Sequence, residues 1–576
     1  MWQSLVKKID GAVTSPKVVK TITLLAILCS YIRIFLATEV TDEVYHIAGA
    51  SLTALGGTFF ENDSYFAQVS SIIYEPIIYV YHWLTGNFGV VLFVRHLYFL
   101  LALACFYSFY RLLRKMISPD LALMISAIPV VFIPYAVPSV GYNTIGAFCL
   151  GIGCALTLNA ALTNRLMLAL LGGWAFAISA YVYPSFVLAP AILYFALGFH
   201  LWQKDHRFPK VLSLGAVFSG FMFFAIWGVT VLRFDFDKVQ HSIETTQAYG
   251  SGSAQGLAAK WEYFESMIGY VTPPGWVLVV IVLVLAALVV MRMAWTWAIA
   301  LAAVLFILMV QQPTFTAPSN LFVSFCFLLG LASLFPLRLK SHDNLDRISL
   351  VMILLGCVLC VSTYFTSANQ GLATPLATQF GLIFVFARSA AHFRRAAIVV
   401  PMIAFFSTIT FFNYTHAYRE GNIADFNTLI TTGPYAGIWT GESKANLLKQ
   451  IEDDIHEASQ GATSILFYDN FPAGYLFSDL RPATRSLFIH PLPNGIWDRE
   501  LYTEYYKNPA NRPDVFFQFE GFPYAPNSIM LYRTEQWTKP PMDTFFDYLP
   551  NTGDYERLHQ RFFYSVWRKK SLAPKN

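Results

Sequence analysis

The chain has 576 residues, 56% of them apolar and 13% charged, with 39 Lys and Arg against 35 Asp and Glu for a formal net charge of +4. Soluble domains carry about 25% charged residues, so this composition excludes an ordinary soluble enzyme. The near balance of charge implies no basic nucleic-acid surface, and no nucleic acid is expected as a partner. The surplus of apolar side chains is expected to face a lipid bilayer.

Apolar runs long enough to cross about 30 Å of hydrocarbon predict thirteen transmembrane helices: 20–37, 88–110, 121–138, 144–161, 166–182, 186–203, 211–233, 275–292, 294–312, 319–337, 348–366, 375–390 and 396–412. Between the first two lies a long loop, 38–87, whose semi-apolar stretch 71–84 is too short to span and reads as an interfacial or re-entrant helix. A second long loop, 234–274, is centred on the Gly/Ser run 249–256, a linker or a lid. Residues 413–576 return to globular composition. A helix over 443–459 capped by Ser443, and buried strands at Ser464–Tyr468 and Asp514–Phe519, predict an α/β domain there. The fold class is therefore mainly α and polytopic, with a membrane module over 1–412 and an α/β domain over 413–576.

Lys and Arg orient the module, because cytoplasmic loops collect them. With the N-terminus inside, alternate loops such as those carrying Arg111, Arg114, Lys115 and Arg165 hold 18 basic residues, whereas the opposite loops before 413 hold only Lys238 and Lys260. The C-terminal domain then lies outside, in the periplasm if the membrane is a bacterial inner membrane. The first run lacks a small-residue cleavage site after it and is expected to stay as an anchor. All seven cysteines fall in apolar runs, where they read as small buried hydrophobes rather than a disulfide framework. No zinc-type Cys/His spacing or phosphate-binding Gly-rich loop is present.

The chemistry concentrates in loop 38–87, which holds six acids (Glu39, Asp42, Glu43, Glu61, Asp63, Glu75) and no Lys or Arg. Its segment Thr41-Asp-Glu-Val-Tyr-His46 sets two carboxylates, a tyrosine and a histidine just beyond the first span. Other polar clusters sit at short outer turns: 139–144, 183–185, 311–314 and 369–370.

The Asp42-Glu43 pair in the first external loop, the short helix in that loop, Arg95 early in the next span, the long loop after the seventh span and the C-terminal domain together resemble the GT-C glycosyltransferases. The setting is most similar to protein O-mannosyltransferases and lipid A aminoarabinose transferases. The resemblance in layout covers 1–412, while in residues it rests on the acidic pair. It implies transfer of a hexose or pentose from a polyprenyl-phosphate carrier to a cell-envelope glycan or lipid acceptor on the outer side, with inversion at the anomeric carbon. Such a step needs a carboxylate to take the acceptor's proton and cations or helix-end amides to meet the phosphate.

Asp42, matching the first acid of the family's pair, is assigned as the base, with Glu43 orienting it or the acceptor. Tyr45, His46, Tyr142, Asn143 and Tyr183 are expected substrate contacts. Arg33, Arg233, Lys238 and Lys260 are the candidates for the lipid phosphate, while Arg95 is expected to brace the loop's acids. Relatives often carry a second acid near the turn at Tyr142-Asn143. None stands there in this sequence, so a metal-independent reaction without cofactor is expected. An oligosaccharide ligase or a protein O-glycosyltransferase is the neighbouring alternative, and a transporter or flippase the alternative from another class. A transporter would show polar groups at mid-membrane, whereas these cluster at the outer turns. An oligosaccharyltransferase is disfavoured because the tail lacks a Trp-Trp-Asp motif.

Overall fold

The protein's computed structural model describes residues 14–63, 68–205, 210–253, 318–334, 344–367, 373–415, 417, 420–468, 471–487, 504–519, 521–525, 528–531 and 548–572. The predicted spans 275–292 and 294–312, the greater part of the loop after residue 253, Lys260, and the turns at 311–314 and 369–370 lie outside them.

The membrane module begins with α1 (Pro16–Arg33), capped by Ser15, whose hydroxyl accepts from the Val18 amide, with Pro16 at the first helical position. It starts and stops four residues before the predicted span. Residues 34–37 leave the helix, the carbonyls of Ile34, Leu36 and Ala37 being taken by arginines and that of Phe35 by the Trp439 amide. The first loop then forms α2 (Asp42–Ser51) and α3 (Val69–Thr85). α3 answers to the short helix expected at 71–84. It buries Tyr74, Glu75 and Ile78 and exposes Ile77, Val80, Trp83 and Leu84, so it is apolar on a face that none of the described residues covers.

Then follow α4 (Val90–Leu113), α5 (Pro119–Ser126), α6 (Ile128–Val131), α7 (Tyr142–Thr163), α8 (Leu166–Val182), α9 (Leu188–Asp205), α10 (Lys210–Phe234), α11 (Phe236–Ser253), α12 (Pro318–Leu334), α13 (Asn344–Thr366), α14 (Pro375–His392) and α15 (Ala396–Thr415). Among the described residues five helices are long and apolar enough to cross a membrane: Val90–Leu113, Tyr142–Thr163, Lys210–Phe234, Leu345–Thr366 and Ala396–Thr415.

Two expectations need correction. The run 121–138 is not one span: it breaks into α5, α6 and a 3₁₀ turn at Pro134–Ala136, in which Tyr135 and Ala136 both have φ of 57°. Pro129, Pro134 and Pro138 remove the amide donors that a continuous helix needs, and the freed backbone is tolerated because it is buried in protein. The loop after the seventh span starts as helix α11, which runs through Ser253 and so absorbs the first part of the Gly/Ser run.

α7 is the most enclosed of the five long helices, packed between α4 and α8. α8 crosses α10 at Gly173, where a Cβ would lie 2.7 Å from the Gly215 carbonyl oxygen, a backbone approach that only glycine permits. The outer flank of α10 presents Phe221, Phe224 and Leu232, as lipid contact requires.

The tail pairs β1 (Thr428–Leu429) with β2 (Trp439–Thr440), then forms α16 (Glu442–Ala458), β3 (Ser464–Tyr468), β4 (Arg481–Pro482), β5 (Val515–Phe519), a hairpin of β6 (Gly521–Ala525) and β7 (Ser528–Leu531), and β8 (Tyr555–Gln560) with β9 (Tyr564–Lys569). A five-stranded sheet runs β4-β3-β5-β9-β8, parallel from β4 to β5 and antiparallel beyond. The α/β expectation thus matches. α16 is entered at Gly441, however, and Ser443 sits inside its first turn without acting as the cap.

The tail is built onto the first loop. Ala37 donates to the Trp439 carbonyl (2.9 Å), Trp439 donates to that of Phe35 (2.8 Å), and Asn62 reaches the carbonyls of Pro482 and Thr484.

Candidate functional site

α2 owes its start to Glu39. This buried carboxylate accepts from the Thr41 amide (3.0 Å), the Thr41 hydroxyl and the Glu43 amide (2.6 Å), satisfying donors that the first turn of a helix leaves open. Asp42 follows as the first helical residue and is half-buried, with its negative charge at the favourable end of the helix. One residue on, about 100° round the helix, Glu43 points inward. It is 1% exposed, and its two oxygens accept from Nε and Nη2 of Arg95, each at 2.7 Å. The two adjacent acids therefore have different settings: Glu43 is locked in the interior and Asp42 stays half-buried. The expected bracing role of Arg95 matches. Glu43 is a positioning residue for α2, and the expectation that it orients an acceptor is revised because both its oxygens are engaged by the buried guanidinium.

One turn after Asp42, His46 packs under the outer turn that opens α7. Its Nδ1 lies 3.2 Å from Ser70 Oγ on α3, and its ring meets Tyr142 edge-on at 5.4 Å. A Cβ on Gly141 would come within 2.6 Å of the imidazole, so the glycine makes room for it. Burial lowers the His46 pKa to about 4, against the pull of Asp42, and the ring is neutral at pH 7. Asp42 is in electrostatic range of both His46 and Tyr142.

Tyr142, half-buried and bonded to Asn143, stacks on Tyr183 (5.9 Å, 12° between planes), which stacks in turn on Phe186 (4.5 Å). Ser185 accepts from Thr366 at 2.9 Å. The outer turns at 139–144 and 183–185 thus meet through the Tyr142–Tyr183 stack, with Asp42 in electrostatic range of Tyr142. Tyr45 is placed differently, since its hydroxyl donates to buried Asp63 at 2.7 Å, which makes it a strut inside the loop.

The cations also separate. Arg33 is 1% exposed and its guanidinium is used on the carbonyls of Asn413 (2.8 Å), Leu36 (2.5 Å) and Ala136 (3.1 Å). It ties α1 to α15 and to the broken 132–141 segment, and this geometry does not support the expectation of a lipid-phosphate ligand. Arg233, at the outer end of α10, makes a two-pronged pair with Glu75 of α3, both contacts 2.7 Å, yet keeps 43% of its side chain exposed. Its neighbours Leu232 and Phe236 are exposed apolar residues. Lys238 pairs with Glu61 at the surface.

Sequence reasoning missed Glu420. Just past α15, this buried carboxylate accepts from the Thr38 amide and hydroxyl and from the Thr440 hydroxyl. Burial raises its pKa to about 6, opposed by Lys444, Thr38 and Arg95. Tyr435 likewise donates to the Glu39 carbonyl at 2.6 Å. Arg95 takes the carbonyls of Ile34, Leu36 and Ala37, so residues 34–43 are clamped between α4 and the tail. An acid shortly before a helix start was a readable signal for Glu39. Glu420 and Tyr435 carried none, since their partners in the first loop lie nearly 400 positions away.

Among the described residues no three His, Cys, Asp or Glu side chains are grouped to hold a metal ion. The turn opposite Asp42 offers Tyr142 and Asn143 where a carboxylate-held metal needs a second acid, so these residues do not fit such a centre.

No protein-family model matches the chain, and no curated protein matches it. Solved structures similar to it include the archaeal oligosaccharyltransferase AglB from Archaeoglobus fulgidus in complex with an inhibitory peptide and a dolichol-phosphate, at 11% identity over 97% of this chain and 75% of that chain, TM-score 0.48. Arabinofuranosyltransferase AftD from Mycobacteria aligns at 11% identity over 96% of this chain and 40% of that one, TM-score 0.46. ArnT from Cupriavidus metallidurans bound to undecaprenyl phosphate aligns at 12% identity over 97% and 99%, TM-score 0.40. Similarity at this level fixes neither a family nor the role of any residue.

Proposed function

We propose that the chain is an inverting GT-C-type glycosyltransferase of a bacterial inner membrane. In this reading it moves a sugar from a polyprenyl-phosphate carrier to a cell-envelope glycan or lipid acceptor at the periplasmic surface. The observation that carries this reading is Asp42 at the head of α2, bordering the neutral His46 and the Tyr142–Tyr183 stack.

In the proposed step the acceptor hydroxyl attacks the anomeric carbon from the face opposite the phosphate. Its proton passes to the Asp42 carboxylate, the bond from the anomeric carbon to the phosphate oxygen breaks, and the electron pair leaves on the lipid phosphate. Tyr142 offers an aromatic face to the sugar. His46, neutral at pH 7, donates or accepts a hydrogen bond and carries no charge. Arg233 is the cation proposed to meet the phosphate. It stands beside the apolar flank of α10, and its partner Glu75 is five residues, about 7.5 Å along α3, from the Ser70 that touches His46. No step runs through a metal.

The test is incubation of the purified chain with radiolabelled polyprenyl-phosphate sugars, with and without EDTA. The reading expects one such donor to be consumed, its sugar transferred, and EDTA to change nothing. No consumption together with solute uptake into liposomes would instead establish a transporter.

A further inference from the structure

The end of the helical bundle opposite Asp42 carries two kinds of cation. Around α13 to α15 three are paired: Arg388 lies 3.1 Å and His392 2.7 Å from the same Asp346 oxygen, and Arg395 pairs with Asp120. Where α4 and α7 end and α8 begins, Arg111, Arg114, Lys115 and Arg165 come together, and among the described residues none of the four has an acidic partner.

Their placement is built. Arg111 sits over the Tyr107 ring at 5.9 Å and Arg114 over Tyr110 at 5.8 Å, each one turn back along α4, a cation–π contact that holds a guanidinium without neutralising it. Lys115 donates to Asn159 Oδ1 at 2.5 Å, drawing the end of α4 onto α7, and Arg165 stands at the N-cap position of α8. Burial, then Arg111, Arg165 and Arg114, push the Lys115 ammonium below its ordinary pKa, so the three arginines lie within electrostatic reach of it. An orientation signal needs only a count of positive charges in the loop. Here two rings of α4 hold two guanidiniums at its end, and the Lys115–Asn159 bond brings that end onto α7, beside Arg165. Around them Tyr107, Leu162, Leu166 and Met167 are exposed, an apolar rim suited to acyl chains.

We propose that this cluster seats the phosphate headgroup of an anionic phospholipid, in the leaflet opposite the candidate site, with the acyl chains along Leu162, Leu166 and Met167. Clusters of basic residues immediately beyond a span attract anionic lipid, each cation adding to the attraction. A lipid with two phosphates then binds more tightly than one with a single phosphate. The proposal is independent of what reaction the other end performs.

Native mass spectrometry of the full chain with added phosphatidylglycerol, diphosphatidylglycerol or phosphatidylcholine tests it. The two anionic lipids are expected to be retained and phosphatidylcholine not. The triple variant Arg111→Ala, Arg114→Ala, Arg165→Ala is expected to lose anionic-lipid affinity on the order of a hundredfold, while the corresponding Lys triple keeps most of it. Equal retention of phosphatidylcholine, or undiminished phosphatidylglycerol binding by the Ala triple, overturns the proposal. So does competition by inorganic phosphate alone as strong as that by the lipid. Should the Ala triple fail to fold, a salt titration of the unaltered chain decides: anionic lipid released as salt rises supports the site, and salt-indifferent binding overturns it.

Discussion

Arg95 on α4 grips Glu43 on α2 through two hydrogen bonds of 2.7 Å, with both side chains sealed from solvent. Neither can lose its partner cheaply, because a buried guanidinium without its carboxylate is an uncompensated charge. Glu43→Gln is therefore expected to destabilise the protein by about 3–5 kcal/mol, read as a lower Tm in detergent. Asp42→Asn, at the half-buried neighbour, is expected to leave Tm nearly unchanged. Equal Tm values for the Glu43 variant and the parent would contradict the division of labour between the two acids.

His46 gives a pH signature. Its pKa is lowered from 6.5 to about 4 by burial, so the unfolded chain binds the proton more readily. The stabilisation from the neutral ring is full above pH 6.5 and is lost as pH falls toward 4, amounting to about 3 kcal/mol. A His46→Gln variant is expected to lack that slope, and a parallel fall of Tm in both proteins between those limits would contradict it.

Glu420 acts in the opposite sense. Burial raises its pKa from 4.5 to about 6, so the folded chain holds the proton more tightly and stability declines as pH rises through that window, by about 2 kcal/mol. Glu420→Gln keeps an acceptor oxygen for Thr38 and Thr440 and is expected to remove the decline. A Tm difference between Glu420→Gln and the parent that does not vary with pH would show that the carboxylate does not titrate there.

Arg233 separates binding from chemistry. Exchange of Glu75 for a lipid phosphate predicts that Arg233→Gln raises the KM for the donor about tenfold, the equivalent of about 1.4 kcal/mol, with kcat little changed. Lys238→Ala, which breaks an exposed pair with Glu61, is expected to have a small effect. The same KM in the Arg233 variant would remove it from the phosphate site.

The five long apolar helices among the described residues were legible because lipid demands long apolar runs, and α3 because its run was too short to span. The bracing by Arg95 was legible because an ionisable group inside a span requires a partner. The difference between Asp42 and Glu43 follows from helix geometry only once α2 is known to start at Asp42, and that start depends on Glu39. The internal use of Arg33 left no mark, since an arginine near a span end looks the same whether it meets lipid phosphate or three backbone carbonyls. The clamp by Glu420 and Tyr435 is tertiary, joining residues that no local pattern connects.

The central claim is that Asp42 takes the acceptor's proton. Its most direct test is sugar transfer from a radiolabelled polyprenyl-phosphate donor by Asp42→Asn beside the unaltered chain, with Tm and donor binding measured on the same preparations. A loss of transfer on the order of 10²–10⁴-fold with fold and donor binding intact is the result expected. An Asn variant that transfers at the parent's rate would contradict it.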